Sequence, residues 1–109
     1  MSKFMILYRA PVSALEQMSS ATPEQIELSG QAWRAWATKV GYALADLGTP
    51  LAHTTHVGPG APAGDGVCGY SILEAGSADE VGTLLDGHPH LAIPGASIEV
   101  LELIPIDIV

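Results

Sequence analysis

The first half of the chain shows two patterns of apolar positions, one typical of a strand and one typical of a helix. Residues 4–8 form a continuous apolar run, which predicts a strand covered on both faces. Residues 10–21 follow as a loop in which a helical turn can form. Apolar or small residues then recur every three or four positions over residues 26–47, which predicts one long amphipathic helix. A capping box at residues 22–25 begins this helix and Gly48 ends it.

The second half repeats this order after an additional strand. Residues 51–57 alternate between apolar and polar positions and predict a strand. Residues 67–75 are apolar on both parities apart from Glu74, which predicts a buried strand. Residues 77–80 form a second capping box ahead of a short helix. Residues 97–106 predict the last strand.

The order strand, helix, strand, strand, helix, strand predicts one α+β domain over residues 1–109, of the ferredoxin-like βαββαβ class. Two crossovers in this order give four antiparallel strands with both helices on one face of the sheet. The first, third and last strands nevertheless carry apolar side chains on both parities. The face without helices therefore needs another apolar surface, and we expect a homodimer through that sheet face. Burial of roughly 800 Å² per partner, at about 25 cal/mol per Å² of apolar surface, would contribute substantially to the free energy of dimerisation.

Composition narrows the classes of partner and the compartment. The net charge is −8, and all four Lys and Arg residues precede residue 40. An acidic surface repels phosphates and anionic lipids, so nucleic acid and membrane partners are not expected. Cys68 is the single cysteine, which excludes an internal disulfide and fits the reducing cytoplasm. No stretch approaches transmembrane length, and residues 1–9 do not form a signal peptide, so a cytoplasmic location is expected.

His88 and His90 are the strongest candidates for chemistry. In an extended segment, residues two apart project to the same side, so both imidazoles could face one pocket, as metal ligands or as a proton relay. The alternative is that one histidine caps the end of the preceding helix while the other packs against the sheet. A metal site is not expected, because zinc requires three or four ligands and the chain has no Cys pair and no HExxH motif.

Two carboxylates and a tyrosine could assist these histidines. Glu74 and Glu99 stand within otherwise apolar strands, where burial would raise the pKa of either and make it an acid or a base. Each could equally lie at a strand end in solvent. Tyr70 is a third candidate in the same strand as Glu74.

Three further residues are candidates for contact with a ligand. Trp33 and Trp36 lie three apart on the predicted helix and could line a cavity, although residues at this spacing are more often part of the core. His53 could face a cleft from the second strand, or lie in water at the edge of the sheet.

A family likeness is carried by six short segments distributed over most of the chain: Trp33-x-x-Trp36, residues 48–51, residues 69–75, residues 77–80, residues 87–91 and residues 98–100. In these segments the chain resembles the YCII-related (YciI-like) family of small dimeric α+β barrel proteins. The resemblance implies a ferredoxin-like protomer, a sheet-to-sheet dimer and a cleft beside the sheet. It implies no particular reaction. The Arg-Pro-x-His segment associated with a His-Asp pair in some members is absent, so no catalytic residue is transferred.

Two functions remain open from the sequence. The first is a small cofactor-independent enzyme acting on a modest organic molecule, with His88 or His90 as acid or base and Glu74, Glu99 or Tyr70 assisting. The second is a non-catalytic homodimer that binds a small ligand or serves as an accessory protein. A convergent acid–base set would distinguish them, and the sequence shows only parts of one.

Overall fold

The computed structural model describes residues 1–60 and 66–106 as one four-stranded antiparallel sheet with helices. The strands are β1 (Ser2–Arg9), β2 (Leu44–Asp46), β3 (Val67–Ala75) and β4 (Ser97–Glu102), and the helices are α1 (Ala14–Ser20), α2 (Pro23–Val40) and α3 (Ala78–Leu84). The strand order β2-β3-β1-β4 confirms the predicted ferredoxin-like βαββαβ class, with α1 as an addition to the first crossover. Within the described ranges, no helix has the length and apolar character needed to cross a membrane.

Helix α2 begins as predicted but ends earlier. The side chain of Thr22 accepts a hydrogen bond from the backbone of Gln25, whose own side chain bonds back to Thr22. The helix ends at Val40, because Gly41 takes a φ of +56° that residues with a side chain rarely adopt. The prediction of a helix up to residue 47 is therefore wrong. A 3₁₀ turn, Gly41–Ala43, and strand β2 occupy that stretch instead.

The second strand is also displaced from its predicted place. It is Leu44–Asp46, not residues 51–57. Beyond β2, the chain stays beside β3 through a bridge between Pro50 and Gly69 and a hydrogen bond from the Leu51 amide to the Cys68 carbonyl. Residues 52–60 are exposed and form no strand. Because residues 51–57 are all exposed, their alternation of apolar and polar positions does not separate a buried side from an exposed side.

The last strand is shorter than predicted. β4 ends at Glu102, although the amide of Leu103 still donates to the carbonyl of Lys3. The described residues after it, 104–106, have no regular structure.

The core lies between the sheet and helices α2 and α3. It is formed mainly by alternate residues of β1 and β3 together with one side of each helix: Phe4, Ile6, Tyr8, Leu73, Ala75, Trp36, Val40, Val81 and Leu85. A smaller cluster of Ala10, Ala14 and Cys68 holds α1 against the end of the sheet. The intervening residues of the strands point to the other side, which we call the open face: Lys3, Met5, Leu7, Arg9, Tyr70, Ile72, Glu74, Glu99 and Leu101. None of the open-face residues belongs to either buried cluster.

Candidate functional site

Five ring-bearing residues form a buried group beneath α2, which we call the aromatic–histidine cluster. Strand β1 contributes Tyr8, helix α2 contributes Trp33 and Trp36, and the segment after α3 contributes His88 and His90. The His88 ring lies centrally, with ring centroids 5.0 Å from Tyr8, 4.7 Å from Trp33 and 4.4 Å from Trp36. The rings of Tyr8 and His90 are 5.1 Å apart. The two pairs of residues that were predicted as site candidates, Trp33 with Trp36 and His88 with His90, therefore meet in one group with Tyr8.

The local fold that presents the two histidines is a compact 3₁₀ turn and not an extended segment. Gly87, with a φ of +70°, reverses the chain after α3, and Pro89 begins the turn Pro89–Ala92. The imidazole Nδ1 of His88 accepts a hydrogen bond of 3.0 Å from the backbone amide of His90 and so caps the turn. The imidazole Nε2 of His90 bonds the carbonyl oxygen of Arg9 at 2.9 Å, which fixes the turn to β1. His88 and His90 are only 2% and 4% exposed, so neither opens directly to solvent.

The hydrogen bond at Nδ1 determines what the other nitrogen of His88 can do. A neutral imidazole has one donor and one acceptor nitrogen, so Nε2 must carry the proton. This Nε2 is fully buried and has no hydrogen-bond partner among residues 1–60 and 66–106. Burial, together with the nearby His90, lowers the pKa of His88 to about 4. At neutral pH the ring is therefore an uncharged donor that lies among aromatic rings.

Tyr8 was not among the residues predicted from the sequence, although its ring contacts Trp33, His88 and His90. Its hydroxyl donates to the Ser71 Oγ at 2.7 Å, and that Oγ donates to the carbonyl of Leu47 at 2.6 Å. Burial raises the pKa of Tyr8 to about 12, against the opposing effect of the Ser71 hydrogen bond. One signal in the sequence could have identified it. Tyr8 lies on the same side of β1 as Phe4 and Ile6, so the hydroxyl of Tyr8 is a polar group at the end of an otherwise apolar strand face.

The remaining predicted site residues lie elsewhere. Tyr70, Glu74 and Glu99 are on the open face, across the sheet from the cluster. His53 is exposed in the irregular segment that follows β2. The structure therefore brings His88 and His90 together with the two tryptophans, and separates them from both predicted carboxylates.

The open face has polar contacts of its own. The guanidinium of Arg9 forms an ion pair of 2.8 Å with Glu99, and the hydroxyl of Tyr70 lies 3.4 Å from a carboxylate oxygen of Asp46. Glu74 stands directly opposite Lys3 in the pairing of β1 and β3. These groups surround the apolar centre of the open face.

Two surface clefts lie away from the aromatic–histidine cluster. One, of about 270 Å³, lies between α1 and residues 49–52, and the other lies on the outer side of α2 beside Glu24 and Glu27. In the part of the chain that is described, no three His, Cys, Asp or Glu side chains are grouped as metal ligands would be. Neighbouring rings of the aromatic–histidine cluster lie with centroids 4.4–6.2 Å apart, so a ligand among them would have to displace one of the rings.

Comparison with known proteins gives a likeness of fold. No protein-family model matches the chain, and no curated protein matches it either. Among solved structures, the chain is similar to 5-chloro-2-hydroxyhydroquinone dehydrochlorinase (TftG) from Burkholderia phenoliruptrix AC1100, in complex with 2,5-dihydroxybenzoquinone. The two chains are 21% identical over 89% of this chain and 90% of that chain, with a TM-score of 0.48. At this level of similarity, no ligand or residue role is transferred.

Proposed function

We propose that this protein is a YCII-related homodimer that binds a small organic molecule in its aromatic–histidine cluster. The observation that carries the proposal is the Nε2–H of His88, which is buried without a partner in the described ranges. More than nine in ten buried polar groups have a hydrogen-bond partner, and leaving one without a partner costs about 1–3 kcal/mol. A ligand that accepts this hydrogen bond would recover that free energy. Apolar walls with a few directed polar groups are typical of small-molecule sites.

The homodimer part of the proposal is supported by the surface of the protomer. Its accessible surface is 7486 Å², whereas about 5,700 Å² is expected for a compact monomer of this size. Its radius of gyration is 15.0 Å, against about 13 Å for a compact chain of this length. The protomer therefore exposes more surface than a compact monomer of its size, and the exposed residues 52–60 contribute to it.

A second copy of the chain is the partner that best fits the open face. Met5, Leu7 and Ile72 form its apolar centre, and Lys3 and Glu74 are charges of opposite sign at its margin. In a twofold interface the same patch serves both subunits, so a surface with both signs of charge can complement itself.

The binding proposal is tested by a screen of small organic fragments against the full chain, followed through the histidine ring signals in NMR. We expect at least one fragment to shift the Nε2–H signal of His88, since that group lies inside the proposed site. Binding that shifts only residues of the two surface clefts would contradict the proposal.

Acid–base catalysis without a cofactor is the second candidate function. It is favoured by the buried Nε2–H of His88, which can donate to a substrate oxygen that gains negative charge, while the neighbouring buried His90 is the candidate base. Glu74 and Glu99 lie across the sheet, so neither assists these histidines from within the same protomer. The two functions are distinguished by incubating a bound fragment with the protein for hours. A binding protein returns the fragment unchanged, whereas an enzyme converts it and loses this conversion in a His88 variant.

The compartment and the excluded partners are proposed from composition. The net charge of −8 and the single cysteine support a cytoplasmic protein that does not bind nucleic acid or membranes. Fractionation of cells and a DNA-binding assay at low salt would test these two points separately.

A further inference from the structure

The geometry of the aromatic–histidine cluster points to a chemical class of ligand. We propose that the site takes a single-ring aromatic molecule with a carbonyl or phenolic oxygen, which replaces the indole of Trp33 and accepts the hydrogen bond of His88 Nε2–H. This inference rests on the proposed function and adds the identity of the ligand class and the way into the site.

The requirement for an acceptor oxygen follows from the cap on the 3₁₀ turn. Because Nδ1 of His88 is held by the amide of His90 at 3.0 Å, the ring cannot change tautomer without losing that hydrogen bond. The other nitrogen, Nε2, is therefore a fixed donor that is buried without a partner in the described ranges. A molecule that can only donate, or that has no polar atom, leaves this donor without a partner.

The requirement for a flat ring follows from the position that Trp33 now occupies. The plane of its indole is nearly perpendicular to the ring of Tyr8, at 5.1 Å and 87°, and to the ring of His88, at 4.7 Å and 85°. Edge-to-face arrangements are favourable for aromatic pairs beyond their buried area. An aromatic ligand in the same place would keep both contacts, whereas a saturated ring would lose them.

The way into the site is indicated by the difference between the two tryptophans. Trp36 is buried, and its indole nitrogen donates to the Leu84 carbonyl at 2.9 Å, which fixes it between α2 and α3. Trp33 is only partly buried and is held by ring contacts. Rotation of the Trp33 side chain would uncover Tyr8 and His88 without disturbing the helix. In this proposal the Trp33 side chain moves to admit the ligand, and the Trp36 side chain stays in place beside it.

The test uses the full-length wild-type protein and three probes of similar size. Acetophenone has both an aromatic ring and an acceptor oxygen, toluene lacks the oxygen, and cyclohexanone lacks the aromatic ring. We expect acetophenone to bind about tenfold more tightly than toluene, because only acetophenone satisfies the donor. We also expect acetophenone to shift the His88 Nε2–H signal and to bind more tightly than cyclohexanone.

A matched variant tests the role of the donor. In His88→Asn, the amide oxygen can still accept from the His90 amide, but the side chain is too short to reach the position of Nε2. We expect acetophenone to bind this variant about tenfold more weakly, with little change for toluene. The wild-type titration provides a second readout that does not depend on the variant folding.

The outcomes separate this inference from the proposed function. Toluene binding as tightly as acetophenone, with His88 still perturbed, would overturn the ligand class and leave the binding site in place. Saturation by acetophenone without any change at His88 would place the ligand elsewhere and overturn both. Failure of all three probes to bind at millimolar concentration would also overturn the cluster as a site for such molecules.

Discussion

The two ring nitrogens of His88 lie in different surroundings. Nδ1 is part of the fold, since it caps the turn that begins at Pro89. Nε2 adds nothing to stability in the described part of the protein, because it is buried without a partner. A group that costs about 1–3 kcal/mol in the free protein is of use only when something else accepts its hydrogen bond. This is why we place the ligand at His88 and not at the exposed His53.

The low pKa of His88 predicts a pH dependence of stability. In the unfolded chain a histidine binds its proton near pH 6.5, whereas in the folded protein His88 binds it only near pH 4. Between these values the unfolded state holds more protons, so the free energy of unfolding increases with pH. We expect a contribution of at most about 3 kcal/mol, fully present above pH 6.5 and lost as the pH falls towards 4. Urea unfolding at several pH values measures it.

The His88→Asn variant is the control for this dependence. Without the imidazole at position 88, the curve of unfolding free energy against pH should be flatter between pH 4 and 6.5. If the variant and the wild type have the same slope over that range, the dependence belongs to other groups and the assignment to His88 is wrong.

Two substitutions distinguish the roles of Tyr8 and Ser71. In Tyr8→Phe, the ring contacts with the histidines remain and Ser71 still donates to Leu47, so we expect a loss of about 1 kcal/mol. In Ser71→Ala, the buried hydroxyl of Tyr8 loses its acceptor, and we expect a loss of about 2–3 kcal/mol. Chemical denaturation of both variants tests the order. A larger loss for Tyr8→Phe would contradict the direction assigned to the hydrogen bonds.

At the level of elements, the chain after α2 depends on two glycines with positive φ. Gly41 ends the helix with a φ of +56°, and an added Cβ there would meet nothing within 4 Å. Gly48 has a φ of +77°, and an added Cβ would lie 1.7 Å from the carbonyl oxygen of Tyr70. The first position therefore restricts only the backbone, whereas the second also restricts the approach of this segment to β3.

This difference predicts unequal costs for the same substitution. We expect Gly41→Ala to cost about 1–3 kcal/mol, from backbone strain alone. Gly48→Ala should cost about 4 kcal/mol or more, because β3 must also move. Thermal unfolding of the two variants gives the comparison. Equal costs would mean that the segment can move away from β3 without penalty.

The elements that the sequence predicts well are those whose signals are local. The capping box at Thr22 and the apolar run of β1 depend on neighbouring residues only. The end of α2 was misplaced because Leu44 and Leu47 continue the three- and four-residue spacing beyond Gly41. Strand β2 has only three residues, so its pairing with β3, and not its own pattern, determines it.

The division of the candidate site between two sheet faces could not be predicted for a similar reason. Strand β3 is apolar on both parities, since Ile72 and Leu73 are neighbours. The sequence therefore shows that successive residues of β3 face opposite sides of the sheet. It does not show which of the two sets faces the helices. The packing of Leu73 into the core places Glu74 on the open face, away from His88.

For the whole molecule, the open face predicts how the protein behaves in solution. We expect a dimer at micromolar concentration, and we expect Ile72→Glu to dissociate it by placing a charge at the centre of the apolar surface. The cost of burying an unpaired carboxylate should raise the dissociation constant at least about 100-fold. Sedimentation velocity measures the change.

Leu28→Glu is the matched control for the dimer. Leu28 is 64% exposed on the outer side of α2, so the same substitution there should leave the dimer intact. A wild-type protein that sediments as a monomer, or an Ile72→Glu variant that remains a dimer, would show that the open face is not the interface.

The most direct test of the central claim is the ring-nitrogen NMR spectrum of His88 in the free protein at neutral pH, assigned by comparison with His88→Asn. We predict a neutral imidazole with its proton on Nε2 and an unprotonated Nδ1, as the cap on the His90 amide requires. A doubly protonated ring, or a proton on Nδ1, would contradict the account, because His88 would then not be the uncharged donor that defines the proposed site.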